Sequence, residues 1–259
     1  MALQIGTDEA GYGPNLGPLT VTASTWSVPE IDCDLFKALE SAVSARSADT
    51  NRLVIADSKA VYSSTGSIAN LETTVLAALL LVYGKIPSSW QELAGVLDAT
   101  SVSGGVPDDE IWLAGRKLTL PVKADPENIR HLAERLKVCL SDSGIELNGL
   151  LCRAVFPDEF NTGIDSHGNK ASLLSSVTLQ LVAEQLRSYA AGLSCPVSIC
   201  CDKHGGRSKY ASLLQEHLTE SLVMVECESL EESRYRWNDG NTSFQAKFIA
   251  KGESSLPVA

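Results

Sequence analysis

The sequence predicts an α/β fold, a sheet flanked by helices, on three observations. Apolar segments of strand length end on acidic residues and a glycine turn near both ends of the chain: residues 3–7 before Asp8 and Glu9, and residues 197–201 before Asp202. Helical stripes lie between them, first Ile129, Leu132, Leu136 and Leu140, then the long amphipathic run of Leu173, Leu174, Val177, Leu181, Val182, Leu186 and Tyr189. Near the C-terminus Asn238-Asp239-Gly240-Asn241 carries a tight-turn signature. Phe244, Ala246 and Phe248 then alternate with Gln245 and Lys247 as a half-buried strand requires, so a hairpin is expected.

Taken in order, the strand at residues 3–7 passes through the turn residues Gly11, Gly13 and Pro14 to a second strand at 19–26. Ile31, Leu35, Leu39 and Val43, four residues apart, predict a helix. A short apolar stretch at 53–56 leads into Asp57-Ser58-Lys59, and residues 68–83 read as a mostly buried helix. Residues 85–125 are mixed and punctuated by Pro87, Gly104-Gly105, Pro107 and Pro121, which marks an insertion or small subdomain within a single domain spanning 1–259. The 129–140 stripe, a strand at 145–156 and the long helix follow. After the strand that ends on Asp202 come Gly205-Gly206, a helix through Leu213, Leu214 and Leu218, and an apolar segment at 222–227.

With 259 residues, 44% apolar and 20% charged, the chain can bury a substantial core. The longest apolar stretch, residues 75–83, is too short to span a bilayer, and the start Met-Ala-Leu-Gln-Ile lacks a basic n-region, so no membrane partner and a cytoplasmic location are expected. Seven cysteines without a C-x-x-C pair argue against a disulfide framework and against a zinc knuckle. The adjacent Cys200 and Cys201 in an apolar strand read as core thiols. A net charge of −11 opposes nonspecific coating of nucleic acid, which depends on neutralising phosphates. It leaves room for a nuclease, whose carboxylate site binds substrate through metal ions. A monomer is expected.

The segment Gly6-Thr7-Asp8-Glu9-Ala10-Gly11-Tyr12-Gly13-Pro14 carries the most chemistry. Neighbouring side chains in a strand point to opposite faces, so Asp8 and Glu9 serve one site only if the strand ends there. The backbone of Gly11-Tyr12-Gly13 can approach a sugar-phosphate chain closely. Acids at three strand ends, Asp8-Glu9, Asp202 and Glu253, could gather two Mg²⁺ or Mn²⁺ ions roughly 4 Å apart, as two-metal phosphodiester hydrolysis requires. Taken singly, each acid reads more readily as a turn residue or helix cap; the joint pattern shifts the balance toward the metal. Beside Asp202, His204 could shuttle a proton while Lys203 and Arg207 bind substrate phosphate, the alternative being a solvated turn. Tyr235, Trp237 and Phe248 fit either a base-stacking platform or packing against the sheet.

These residues resemble the type 2 ribonucleases H, the ribonuclease HII family. The likeness rests on Asp8-Glu9-Ala10-Gly11-Tyr12-Gly13-Pro14 with Gly17-Pro18-Leu19-Thr20-Val21, on Asp57-Ser58-Lys59, on the helix around Lys170-Ala171-Ser172-Leu173-Leu174, and on Lys251-Gly252-Glu253-Ser254. The resemblance implies an RNase H-like fold with a mixed five-stranded sheet flanked by helices, and metal binding by Asp8, Glu9, Asp202 and Glu253. It implies cleavage of the RNA strand of RNA/DNA hybrids, or of duplex DNA containing ribonucleotides, to 3′-hydroxyl and 5′-phosphate ends. Gly11, Tyr12 and Gly13 would read the ribose 2′-hydroxyl, and Ser58 and Lys59 would contact phosphate. Tyr12 stands where the family has arginine, and Glu253 where it has aspartate. The family continues beyond its last acid into a further helix, so the resemblance implies a C-terminally truncated member. Two other classes carry comparable features: a non-catalytic RNase H-like nucleic-acid-binding module, and an actin-like or sugar-kinase-type ATP-binding domain, which shares an acid and glycine turn after its first strand.

Overall fold

The computed structural model describes residues 1–11, 17–46, 49, 51–97, 118–190 and 194–252. The chain divides into two compact units, one built from Met1–Leu35 together with Ile145–Ala259, the other from Phe36–Gly144. The first unit opens with β1 (Ala2–Ala10) and β2 (Leu19–Val28), an antiparallel pair in the register Ala2↔Val28 to Ala10↔Thr20. Helix α1 (Leu35–Ala38), a single turn, begins on the last residue of the Met1–Leu35 stretch and runs into the second unit. The longer helix expected from Ile31, Leu35, Leu39 and Val43 does not form. Leu35, Leu39 and Val43 are all buried, but Val43 belongs to β3 (Val43–Ser44), so their spacing tracks burial rather than a helical face.

In the second unit β3 pairs in parallel with β4 (Leu53–Val54). Helix α2 (Ser58–Thr65) is capped by Asp57, whose carboxylate accepts the Ala60 N–H at 2.8 Å. Helices α3 (Ala69–Tyr83), α4 (Trp90–Leu97) and α5 (Pro126–Ser143) complete the unit. The start of α5 is set by the Asp125 cap and Pro126 in its first turn, and its expected apolar stripe, Ile129, Leu132, Leu136 and Leu140, is buried. Glu72 on α3 accepts the backbone N–H groups of Lys123 and Ala124 at 2.7 and 2.8 Å, tying the approach to α5 onto α3. The expected insertion at 85–125 falls inside this unit, and its residues 98–117 lie outside the described residues.

The chain re-enters the first unit with β5 (Glu146–Val155), α6 (Pro157–His167), α7 (Lys170–Tyr189), β6 (Val197–Asp202), α8 (Ala211–His217), β7 (Met224–Glu228), β8 (Glu232–Asp239) and β9 (Thr242–Ile249). Its sheet runs β5-β2-β1-β6-β9-β8-β7. β6 lies parallel to both β1 and β9, and the other four pairings are antiparallel. The sheet therefore has seven strands, not the five expected. The two extra ones come from β8, whose alternation of buried Ser233, Tyr235 and Trp237 with exposed Arg234, Arg236 and Asn238 pairs it to β9, and from β7 outside it. The hairpin turn between β8 and β9 forms as expected, with Gly240 at φ 58°.

One face of this sheet carries the core. Leu3, Ile5, Ile199, Cys201, Tyr235, Trp237 and Phe248 meet Leu179 and Val182 of α7 and Leu214 of α8. Tyr210 and Phe248 stack with centroids 3.6 Å apart and planes 5° from parallel. The aromatic residues of the hairpin thus pack inward rather than offering a stacking surface. Gly149 on β5 admits α7: a Cβ there would lie 2.6 Å from the Tyr189 ring. All seven cysteines are free, and burial pushes the Cys200 thiol up to about 11, so it stays protonated. Among the described residues no helix is long and apolar enough to cross a membrane.

Candidate metal centre

β1 keeps step with β6 only as far as Thr7↔Cys201, but with β2 as far as Ala10↔Thr20. The three last residues of β1 are therefore paired on one side alone, and Asp8 and Glu9 lie where β1 and β6 part. This modifies the expectation that the strand must end for both acids to serve one site: what ends is the pairing with β6. Asp202 closes β6 beside them. One carboxylate oxygen from each of Asp8, Glu9 and Asp202 lies within 4.8 Å of the others, and all three residues are half-buried.

Electrostatics in this cluster follow from like charges in a partly desolvated place. Burial, and then the neighbouring Asp8 and Asp202 carboxylates, raise the Glu9 pKa to about 7. Asp202 is fixed by a hydrogen bond from the Gly252 N–H to Oδ1 at 2.8 Å. Gly252 is buried, and the turn that presents it has Lys251 at φ 62°, the one positive-φ residue other than glycine among those described. That N–H belongs to the residue directly before Glu253, so the turn that should deliver the fourth acid is anchored on Asp202. Glu253 itself lies outside the described residues, as do Tyr12 and Gly13. Gly11 is described and cannot be replaced freely: its φ is 81°, and a Cβ would sit 2.8 Å from the Pro18 carbonyl oxygen.

The residues after Asp202 form a built turn rather than a solvated one. Lys203 is buried, donating from Nζ to the Ser229 carbonyl at 2.7 Å and Ser233 Oγ at 3.0 Å, and burial lowers its pKa. His204 is 1% exposed, edge-on to both Tyr210 and Phe248. Its Nδ1 lies 2.9 Å from Ser175 Oγ, whose own proton goes to the Ala171 carbonyl at 2.8 Å. Nδ1 therefore donates, which fixes the neutral tautomer. Burial, and secondarily the Arg207 charge, lower the His204 pKa to about 3, so the ring is neutral at physiological pH. Arg207 donates to Ser172 Oγ at 2.8 Å in the first turn of α7. Lys203 and His204 thus brace the turn that holds Asp202 and do not face solvent as substrate ligands. Ser58 and Lys59, at the start of α2, belong to the other unit and are exposed.

Sequence reasoning missed Tyr210 and Ser175, and named Gly252 within Lys251-Gly252-Glu253-Ser254 without its role as donor to Asp202. The Tyr210 hydroxyl accepts the His204 N–H at 3.0 Å and donates to the Arg207 carbonyl at 3.1 Å, closing the turn from inside. Nothing in the local sequence marks Ser175 or Tyr210 as partners of this turn, since Ser175 comes from α7 and Tyr210 folds back from the end of the same connection.

Carboxylate oxygens are hard donors suited to Mg²⁺ or Mn²⁺. Ligands sharing one Mg²⁺ lie about 3–4 Å apart, so the observed oxygens need only small side-chain rotations to meet on an ion. The donor set fits such a cation. Compared with protein-family models, curated proteins and solved structures, the chain matches none.

Proposed function

We propose that the chain is a divalent-metal-dependent endonuclease of the ribonuclease H type, hydrolysing the RNA strand of an RNA/DNA hybrid. The observation that carries this reading is the convergence of Asp8, Glu9 and Asp202 where two adjacent parallel strands part. The sequence around Asp8 and Glu9 supports the same assignment. So does the mixed character of the five strands β5-β2-β1-β6-β9 that carry the acids; on this reading β8 and β7 extend an RNase H-like core.

Mg²⁺ or Mn²⁺ held by Asp8, Glu9 and Asp202, with Glu253 as the fourth acid, would supply a water of lowered pKa and neutralise charge on the leaving 3′-oxygen. The residues do the rest. Glu9 must give up its proton to bind a cation. Asp202 has Oδ1 committed to Gly252, which holds the carboxylate in one orientation and leaves Oδ2 for the metal. The backbone at Gly11, free of a side chain, lets a sugar-phosphate chain come close. Lys203 and His204 act as positioning residues for Asp202.

The test offers the protein, in Mg²⁺ or Mn²⁺, an RNA/DNA hybrid, a DNA duplex with one embedded ribonucleotide, and an all-DNA duplex. We expect ribonucleotide-dependent cleavage leaving 3′-hydroxyl and 5′-phosphate ends. Loss of an outer partner of a metal ligand already costs about 10–100-fold, so Asp202→Asn, which removes a direct ligand, should reduce the rate at least about a hundredfold. No cleavage of any substrate by the wild type, or cleavage undiminished in the variant, defeats the proposal.

A further inference from the structure

The sheet face opposite the Tyr210–Phe248 stack is buried over β1 and β6 at Gln4, Ser198 and Cys200, and over β8 and β9 it carries a second arrangement of charge. Register partners on neighbouring strands point to the same face. Cys200 on β6 is opposite Lys247 on β9, and Lys247 is opposite Arg234 on β8. Asp202, two residues beyond Cys200, therefore shares its face with Lys247 and Arg234, as does Arg236. Strand geometry puts the Cα atoms of Lys247 and Arg234 about 8 and 12 Å from that of Asp202.

These cations are incompletely neutralised. Arg236 is engaged, with Nε 2.7 Å from Glu226. Arg234 Nε and Lys247 Nζ, by contrast, lie 3.8 and 4.0 Å from Glu232 and Asp32, beyond hydrogen-bonding reach. Asp32 is itself 77% exposed and so well hydrated. Like charges directly opposite one another across a strand pair destabilise it, and here the pair stands in a chain of net charge −11. Both cations line one open concavity on this face. An anion placed between them would relieve their repulsion and use donors the protein leaves loose.

We propose that Lys247 and Arg234 form a phosphate-binding row for the nucleic-acid strand that passes the Asp8–Glu9–Asp202 site, so that the strand continues from the acids across β9 and β8. This rests on the nuclease reading for its ligand, and on the register and loose pairing of the two cations for its place. The occupant is the sugar-phosphate backbone, recognised through charge and independent of base sequence.

The test measures fluorescence anisotropy of a labelled RNA/DNA hybrid with the full chain in EDTA, where no cleavage occurs, from about 50 to about 200 mM salt. The Arg234→Gln/Lys247→Gln double variant should bind roughly tenfold more weakly. Its slope of log affinity against log salt should shrink by about 1.8, the value for two lost phosphate contacts. Arg234→Lys should retain most of the affinity, circular dichroism should show the double variant folded, and its Mn²⁺ binding should equal the wild type's. Unchanged affinity and slope overturn the row, as does displacement of the hybrid by polyglutamate or inorganic phosphate as effective as by unlabelled hybrid. Failure of the wild type to bind hybrid in EDTA overturns the row, and absence of cleavage in Mg²⁺ or Mn²⁺ overturns the nuclease reading. Cleavage with an unaltered slope overturns the row alone, and an altered slope in a protein that cuts nothing overturns the nuclease reading alone.

Discussion

Glu9 and His204 are displaced from their ordinary protonation in opposite senses, and each leaves its own mark on stability. Folding raises the Glu9 pKa from 4.5 to about 7 through burial and two neighbouring carboxylates. The folded state then holds a proton that the unfolded chain has lost, so the contribution of Glu9 is complete below pH 4.5 and disappears as pH rises through 7. In EDTA, denaturant titrations should find this contribution declining over that window; Glu9→Gln should abolish the decline, and Mg²⁺ should reverse it in the wild type alone. A wild type and a Glu9→Gln variant with parallel pH profiles would refute the assignment. For His204 the sign is reversed. Its pKa falls from 6.5 to about 3, so the unfolded chain takes up a proton that the folded ring refuses, and stability is lost as pH drops from 6.5 toward 3. His204→Gln should flatten that acid limb, measured as the difference in unfolding free energy between pH 6.5 and 4.5 relative to wild type. The type of residue was legible at both positions, but its environment was not. Histidine beside a candidate metal ligand suggests proton transfer, and only the partners Ser175, Tyr210 and Phe248, drawn from three other elements, make it a buried brace.

At the scale of elements, periodicity located what was amphipathic. α5, α7 and the β8–β9 turn were all legible because one face of each is apolar or because the turn needs glycine. α6 was not, since none of its residues is buried and its apolar face is reduced to Phe160 and Ile164. The count of five strands came with the family resemblance; in the residues themselves β8 was legible through its hairpin, whereas β7 is exposed along nearly all its length and gives little alternation. β9 links packing to the site most directly. Its Phe248 is fully buried against Tyr210, and the next residue, Ile249, is the register partner of Asp202. Phe248→Ala should cost about 3–5 kcal/mol of unfolding free energy, read by chemical denaturation. The same variant should weaken Mn²⁺ binding at temperatures where it is still folded, because the Asp202 turn loses its floor. A loss below about 1 kcal/mol would mean that the stack carries little of the core.

For the molecule as a whole, two of the three described acids are adjacent in sequence and the third is far away, which explains how far the site could be read in advance. Asp8 and Glu9 announce themselves by the strand-to-glycine transition, and Asp202 repeats it. The raised Glu9 pKa, the Gly252 anchor and the cationic row on the opposite face depend on which strands become neighbours, and strand order is a property of the assembled sheet. That order has a consequence in time. β1 leaves the ribosome well before its parallel neighbour β6, which is separated from it by the whole of the second unit and by α7. At about 5–20 residues per second, roughly 10–40 s pass before Asp202 exists to join Asp8 and Glu9. Over that interval a nascent chain holds two acids with no third, and the three-carboxylate cluster is complete only once β6 has been made.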